Sequence, residues 1–133
     1  MPTTDTGQNG RQVKRVLVVD DNRPSAQSLA WVMEMNGYEV VACFDGQTAV
    51  QVAHEFHPDV VLLDLGMPVM DGYEVCRQLR QDEQLTDTLV IAQTGWGGEA
   101  ERRRTAEVGF NHHLTKPVDF SVLFNLISRR SVH

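Results

Sequence analysis

The residues of this 133-residue chain best suited to chemistry are three carboxylates, a hydroxyl and an amine: Asp20, Asp21, Asp64, Thr94 and Lys116. Carboxylates that share one crevice repel each other, so they need a cation or protons to coexist. Hard oxygen ligands favour Mg²⁺ or Mn²⁺. A carboxylate can also attack phosphorus as a nucleophile, and an amine with a hydroxyl would stabilise the phosphoryl oxygens. The set predicts phosphate chemistry, provided that the fold brings its members together.

Apolar stretches rich in β-branched residues lead into these positions, and a helical pattern follows each stretch. Such runs are typical of strands that are buried on both faces. Turn residues separate the segments. The pattern predicts strands at 15–20, 38–44, 59–64, 88–94 and 110–114, and helices at 25–36, 47–56, 73–80, 99–108 and 118–129.

Strict alternation of strands and helices predicts a parallel sheet covered by helices. We therefore expect an α/β, flavodoxin-like doubly wound five-stranded parallel sheet, in the strand order 2-1-3-4-5 with helices on both faces. Ligands bind such sheets at the carboxyl edge, where the strand order reverses. That point lies between strands one and three, so Asp20 and Asp21 should meet Asp64 there. Thr94 and Lys116 follow strands four and five.

The apolar stripe of each helix predicts its buried face. In the last helix we expect Val122, Leu123, Leu126 and Ile127 to point inward. The fourth helix has a thin apolar stripe, which is typical either of a marginal helix or of an adaptable signalling surface.

Charge and composition exclude several classes of protein. The net charge is -6, and the only dense basic run, Arg102 to Arg104, is interpreted as a solvated helix face, so we expect no direct nucleic-acid partner. No apolar run is long enough for a membrane span and no signal sequence is visible, so the expected location is the cytoplasm.

Cys43 and Cys76 have no metal-ligand spacing and are expected to be reduced. The expected division is a flexible tail at 1–13, one domain at 14–130 and a short tail at 131–133.

Four stretches of the chain resemble the response-regulator receiver family of two-component signalling, from about Lys14 to Ile127. They lie at residues 16–22, 61–74, 94–95 and 115–117. The second contains the specific Met-Pro-x-Met-Asp-Gly loop directly after the third strand. Chemotaxis regulators are among the proteins that the chain resembles.

The resemblance implies a magnesium site with Mn²⁺ as an alternative ion. Asp21 corresponds to a direct metal ligand, and Asp20 lies nearby or acts through water. Asp64 is a further ligand, and the backbone carbonyl of Gly66 matches the family's third protein ligand.

The resemblance also implies a phosphorylation cycle. Asp64 corresponds to the phosphoacceptor, and Thr94 to the hydroxyl that moves to the phosphoryl group. Lys116 matches the cation that pairs first with Asp64 and then with its phosphate. The bond between Lys116 and Pro117 is typically cis in the family.

Two positions depart from the family pattern and bear on output and on phosphorylation lifetime. His113 stands where many relatives carry an aromatic ring that swings inward, and Trp96 lies two positions after Thr94. His112 and His113 make a poor metal chelate, because adjacent strand residues point to opposite faces.

The resemblance implies that a histidine kinase or a phosphotransfer protein supplies the phosphoryl group. The expected output is a change in the face built from the fourth helix, the fifth strand and the fifth helix, read by an unknown downstream protein. The chain would then be a phosphoacceptor that assists its own phosphorylation and dephosphorylation, not a classical enzyme. A homodimer that forms on phosphorylation is a further possible output.

Four alternatives to this interpretation predict other sequence features or another setting for the chain. A phosphatase of the haloacid-dehalogenase type would carry Asp-x-Asp after its first strand, and a flavin-binding protein would carry a Ser/Thr-rich loop there. A receiver that is never phosphorylated usually lacks an acidic residue or the lysine. The start at Met1 favours a stand-alone regulator, while a receiver excised from a hybrid histidine kinase is the alternative.

Overall fold

The computed structural model describes residues 13–67, 69–95 and 97–132, in which strands and helices alternate. The strands are β1 (Arg15–Val19), β2 (Glu39–Cys43), β3 (Val60–Asp64), β4 (Leu89–Thr94) and β5 (His112–Thr115). The helices are α1 (Arg23–Met35), α2 (Gly46–Phe56), α3 (Gly72–Gln81), α4 (Glu99–Val108) and α5 (Phe120–Val132). All neighbouring strands pair in parallel, in the order β2-β1-β3-β4-β5. The predicted fold class and strand order are confirmed.

The sheet separates two apolar layers, because successive strand residues point to opposite faces. Leu17 and Val19 pack with α2 and α3 on one face, whereas Val16 and Val18 pack with α1 and α5 on the other. β1 and β3 are therefore apolar at consecutive positions, as strands covered on both faces must be.

The two cysteines lie in the first of these layers as free, buried thiols. Burial raises the pKa of both Cys43 and Cys76 to about 11, so both stay protonated.

Polar caps fix where three of the helices begin. The side chains of Asn22, Asp45 and Asp71 accept hydrogen bonds from backbone N–H groups in the first turns of α1, α2 and α3. Each cap satisfies a donor that the helix itself leaves without a partner. The Asn22 cap explains why α1 begins at Arg23, two residues before the predicted start.

The last strand and helix differ most from the sequence prediction. β5 begins at His112, two residues after the predicted start, and the ring of Phe110 packs edge-on against Tyr73 at a centroid distance of 6.2 Å. α5 begins at Phe120, with Asp119 accepting from the N–H of Ser121 at 2.9 Å. The expectation for Val122 was wrong: it is 43% exposed. Leu123 and Ile127 form the buried stripe of this helix instead.

At the chain ends, Val13 is buried with the α1 and α5 layer, one residue before the expected domain start. The predicted flexible tail falls almost entirely on residues 1–12, which lie outside the described residues. α5 extends to Val132, past the expected boundary at residue 130. In the described part of the chain, no helix is both long and apolar enough to cross a membrane.

Candidate functional site

The strands end almost level with one another at their carboxyl edge. Val19 pairs with Leu63, so the next residues, Asp20 and Asp64, stand side by side. Hydrogen bonds continue the ladders beyond the strands: the N–H of Asp20 donates to Cys43 at 3.1 Å, and that of Lys116 donates to Thr94 at 2.7 Å. The backbone positions of Asp20, Asp64 and Lys116 are thus set by the sheet.

Three carboxylates meet at this edge. One ligand atom from each of Asp20, Asp21 and Asp64 lies within 4.8 Å of the others. Asp20 and Asp64 are buried, with exposed fractions of 4% and 7%, while Asp21 faces solvent. The predicted clustering of acidic side chains is present, with one open side.

Lys116 reaches into this cluster from the segment after β5. Its Nζ lies 3.2 Å from Oδ2 of Asp20 and 3.3 Å from Oδ1 of Asp64. The Lys116–Pro117 bond is cis, as the family resemblance implied. The ammonium thus bridges the two buried carboxylates.

The electrostatic balance at Asp64 is uneven. Burial raises the pKa of its carboxyl group, and the charge of Asp20 raises it further. The N–H of Gly66, 3.2 Å from Oδ1, and the Lys116 ammonium lower this pKa but do not cancel the rise. Burial alone would lower the pKa of Lys116, but the two carboxylates outweigh it and raise that pKa. The pocket therefore has an excess of negative charge that another cation would relieve.

The donor set fits a hard divalent cation. Three carboxylates offer oxygen ligands, two are buried where their mutual repulsion is poorly screened, and the third is open to solvent. Mg²⁺ usually takes few protein carboxylates and keeps several waters, which an open-sided cluster allows. Gly66 lies in the same turn, two residues after Asp64, and its carbonyl stays a predicted ligand.

The loop between β3 and α3 is pressed against the site. At Gly72, a Cβ atom would lie 2.6 Å from the carbonyl oxygen of Asp64 and 2.8 Å from Cα of Leu65. Only glycine permits that approach, which explains the glycine of the Met-Pro-x-Met-Asp-Gly loop. Met67 is buried below this loop, and Val69 is fully exposed with a positive φ of 66°. Pro68 lies outside the described residues.

Thr94 ends β4 at the same edge and is 9% exposed. Its hydroxyl donates to Oε1 of Glu101 on α4 at 3.1 Å. The sequence pattern did not point to Glu101, because this residue follows no strand and lies in α4, where the apolar stripe is thin. A register argument cannot place it, since its position depends on how α4 docks.

His113 lies on β5 and is partly buried, with Nδ1 3.3 Å from the Thr105 hydroxyl of α4. The side chain therefore touches the fourth helix, and its proposed secondary role in output stays a prediction. Trp96 lies outside the described residues, so its expected effect on phosphorylation lifetime also stays a prediction.

The basic run on α4 is exposed as expected, but it is not free of contacts. Arg102 donates to the carbonyl of Gly97 at 3.1 Å, and the guanidinium of Arg104 lies 3.9 Å from the ring centre of Tyr73. Two of the three arginines of this run therefore make contacts inside the domain.

A cleft of about 610 Å³ opens beside the cluster, between α1 and the start of α5. Its lining includes Asp20 and Lys116, together with Pro24 and Ser25 of the first turn of α1 and Phe120 of α5. A partner's side chain could approach the carboxylates along this route.

Comparison with known proteins identifies relatives over most of the chain. Residues 16–128 match the family described as response regulator receiver domain. The response regulator PleD of Caulobacter vibrioides is 39% identical over 110 residues, which are 83% of this chain but only 24% of PleD. The chain thus spans about a quarter of the length of that relative.

Solved structures share the same fold. The chemotaxis protein CheY4 of Vibrio cholerae superposes with a TM-score of 0.83 at 29% identity, covering 88% of this chain and 98% of CheY4. The receiver domain of the sensor histidine kinase PA1611 from Pseudomonas aeruginosa gives 0.82 at 28% identity, covering 91% and 99%, and carries a magnesium ion in its active-site cleft. With sheet order, acidic edge and family match in agreement, this chain belongs to the response regulator receiver domain family of two-component signalling.

Proposed function

We propose that the domain is a phosphorylation-dependent switch and that Asp64 receives the phosphoryl group. The observation that carries the proposal is the environment of this carboxylate: buried, beside two other carboxylates and bridged by Lys116 to one of them. The N–H of Gly66 and the ammonium of Lys116 both contact Oδ1. That arrangement supports Oδ2 as the attacking atom.

The phosphodonor is the phosphohistidine of a histidine kinase or a phosphotransfer protein. Oδ2 of Asp64 attacks phosphorus, an O–P bond forms, and the P–N bond breaks. The imidazole nitrogen leaves with the bonding electron pair and takes a proton from solvent. In the reverse part of the cycle, water attacks phosphorus, the O–P bond to Asp64 breaks, and inorganic phosphate leaves.

Asp20, Asp21 and Asp64, with the Gly66 carbonyl, would hold Mg²⁺ or Mn²⁺. When bound, such an ion supplies positive charge to the phosphoryl oxygens and offsets carboxylate repulsion. The ammonium of Lys116 would also supply positive charge to the phosphoryl oxygens, and it would keep its contact by moving from Asp64 to the attached phosphate. The magnesium ion in the active-site cleft of the PA1611 receiver domain supports the metal part of this proposal.

The phosphorylated state would be read at the face of α4, β5 and α5. Thr94 is hydrogen-bonded to α4 through Glu101, and His113 of β5 contacts α4 through Thr105. A hydroxyl that leaves α4 for the phosphoryl group removes one anchor of that helix, and this supports transmission to the face. A downstream protein is the proposed reader, and a phosphorylation-dependent homodimer is the other form of output.

The setting of the domain is proposed as cytoplasmic, without nucleic acid or membrane as a direct partner. Relatives include both a response regulator and the receiver of a sensor histidine kinase. We propose the regulator setting, with the hybrid-kinase setting as the alternative.

The test is chemical phosphorylation followed by intact-mass measurement. The protein is incubated with acetyl phosphate and Mg²⁺, and we expect the mass of one phosphoryl group to be added. Asp64→Asn should abolish the addition and excess EDTA should suppress it. Asp87→Asn is the matched control, because Asp87 is an exposed aspartate that precedes β4 at the opposite edge of the sheet. Labelling that persists in Asp64→Asn would contradict the proposal.

A further inference from the structure

Glu101 of α4 holds the hydroxyl of the switch threonine. The hydroxyl of Thr94 donates to Oε1 of Glu101 at 3.1 Å, seven residues further along the chain. Thr94 is buried and Glu101 is half-buried, so water competes poorly for this bond. A hydrogen bond to a charged acceptor in such a place is about twice as strong as one between neutral groups.

A second donor lies against the face of α4 that carries Glu101: Arg104, three residues further along that face, places its guanidinium 3.9 Å from the ring centre of Tyr73. Tyr73 of α3 is 6% exposed, and its hydroxyl has no hydrogen-bond partner among the described residues. Burial raises the pKa of this phenol, and the nearby negative charge of Glu101 raises it further. The Arg104 guanidinium over the ring and the edge-on Phe110 hold Tyr73 in place. A buried hydroxyl without a partner costs free energy until an acceptor reaches it.

A threonine hydroxyl has a single proton and donates it to one acceptor at a time. If Asp64 carries a phosphoryl group, the hydroxyl of Thr94 can donate either to that group or to Glu101. The two acceptors therefore compete for one donor, and the carboxylate that loses has the Tyr73 hydroxyl beside it.

We propose that Glu101 is a two-position latch on the switch, a positioning residue that acts through Thr94. In the resting state its carboxylate accepts from Thr94 and opposes activation. In the phosphorylated state it accepts from Tyr73, and this new bond favours activation. The inference rests on the proposed function of Asp64. It assigns opposite effects on the equilibrium between the resting and the activated conformation to the side chains of Glu101 and Tyr73.

The experiment is a titration of the full chain with beryllofluoride and Mg²⁺, followed by NMR shifts of backbone amides on α4. Beryllofluoride is the probe because it occupies the place of the phosphoryl group without a covalent step. Because the latch lowers the population of the competent state, Glu101→Ala should bind about tenfold more tightly than the parent. Glu101→Gln should show a smaller gain, since a neutral amide oxygen is the weaker acceptor. Tyr73→Phe should bind about threefold more weakly.

Two controls separate the latch from general effects. Glu107→Gln removes the same charge from an exposed position on the same helix and should leave the affinity unchanged. In a Thr94→Ala background, Glu101→Ala should no longer change the affinity, because the latch has nothing to hold. Urea unfolding of every variant separates a loss of stability from a change in affinity.

The outcomes are distinguishable. A parent that fails to bind beryllofluoride overturns the proposed function and the latch with it. A parent that binds, with an unchanged affinity in Glu101→Ala or an equal gain in the Thr94→Ala background, overturns the latch alone. Tyr73→Phe that binds as tightly as the parent overturns the second position of the latch.

Discussion

Asp64→Asn should make the metal-free protein more stable, although it removes the proposed phosphoacceptor. The substitution keeps the shape of the side chain and deletes one buried negative charge. At an effective dielectric constant near 20, like charges at the 4.8 Å upper limit repel by about 3.5 kcal/mol, and opposite charges 3.3 Å apart attract by about 5 kcal/mol. Repulsion from Asp20 and from the exposed Asp21 therefore roughly offsets attraction to Lys116.

Because these charge effects nearly cancel, the cost of burying the carboxylate decides the sign. We expect Asp64→Asn to raise the free energy of unfolding by about 1 kcal/mol in EDTA. Burial raises the pKa of Asp64 in the folded protein above its unfolded value. The ionised carboxylate thus destabilises the fold at neutral pH, and this cost disappears as the pH falls through the raised pKa. The advantage of the variant should shrink over the same range.

The assay is urea unfolding followed by circular dichroism, with and without Mg²⁺. Added Mg²⁺ should stabilise the parent more than Asp64→Asn, because one ligand is missing in the variant. Glu107→Gln, which removes an exposed charge from α4, should stay within about 0.5 kcal/mol of the parent in both buffers, as exposed substitutions usually do. A variant that is less stable than the parent in EDTA would refute the electrostatic account of the pocket.

Three further predictions concern other parts of the fold. Lys116→Ala should slow labelling of Asp64 by acetyl phosphate and reduce the NMR response of α4, whereas an unchanged rate and response would exclude the proposed role. Arg80→Met should lower the free energy of unfolding by about 3 kcal/mol in urea titrations, because its guanidinium donates to carbonyls before β4 and after α4, both at 2.9 Å; a loss under 1 kcal/mol would contradict this. The pKa of His54, raised by its 2.7 Å contact with Asp82, should return toward the ordinary histidine value in Asp82→Asn when measured by NMR. This exposed pair contributes below the raised pKa of His54 and above the lowered pKa of Asp82.

The sheet and the acidic edge could be predicted from sequence because both follow from simple periodicities. The apolar residues of β1 and β3 occupy consecutive positions, which only a strand covered on both faces accommodates. Once the strand order is set, the register places Asp20 beside Asp64 without further information. Side chains that directly follow a strand can therefore be placed from the sequence alone.

Helix docking could not be predicted in the same way. Glu101 reaches Thr94 only because α4 packs at one particular angle, and nothing in the local pattern specifies that angle. Val122 has the apolar character of a core residue, yet it is exposed, while Leu123 and Ile127 are fully buried. When the apolar stripe of a helix is wider than the face that becomes buried, tertiary packing decides which of its residues are buried.

The most direct test of the central claim is to locate the phosphoryl group on the chain. After treatment with acetyl phosphate and Mg²⁺, borohydride reduces an aspartyl-phosphate to homoserine, and peptide mass spectrometry identifies the altered position. We predict homoserine at position 64 and at no other aspartate. Reduction at Asp20 or Asp21, or a peptide containing an unaltered Asp64 in a phosphorylated protein, would contradict the account.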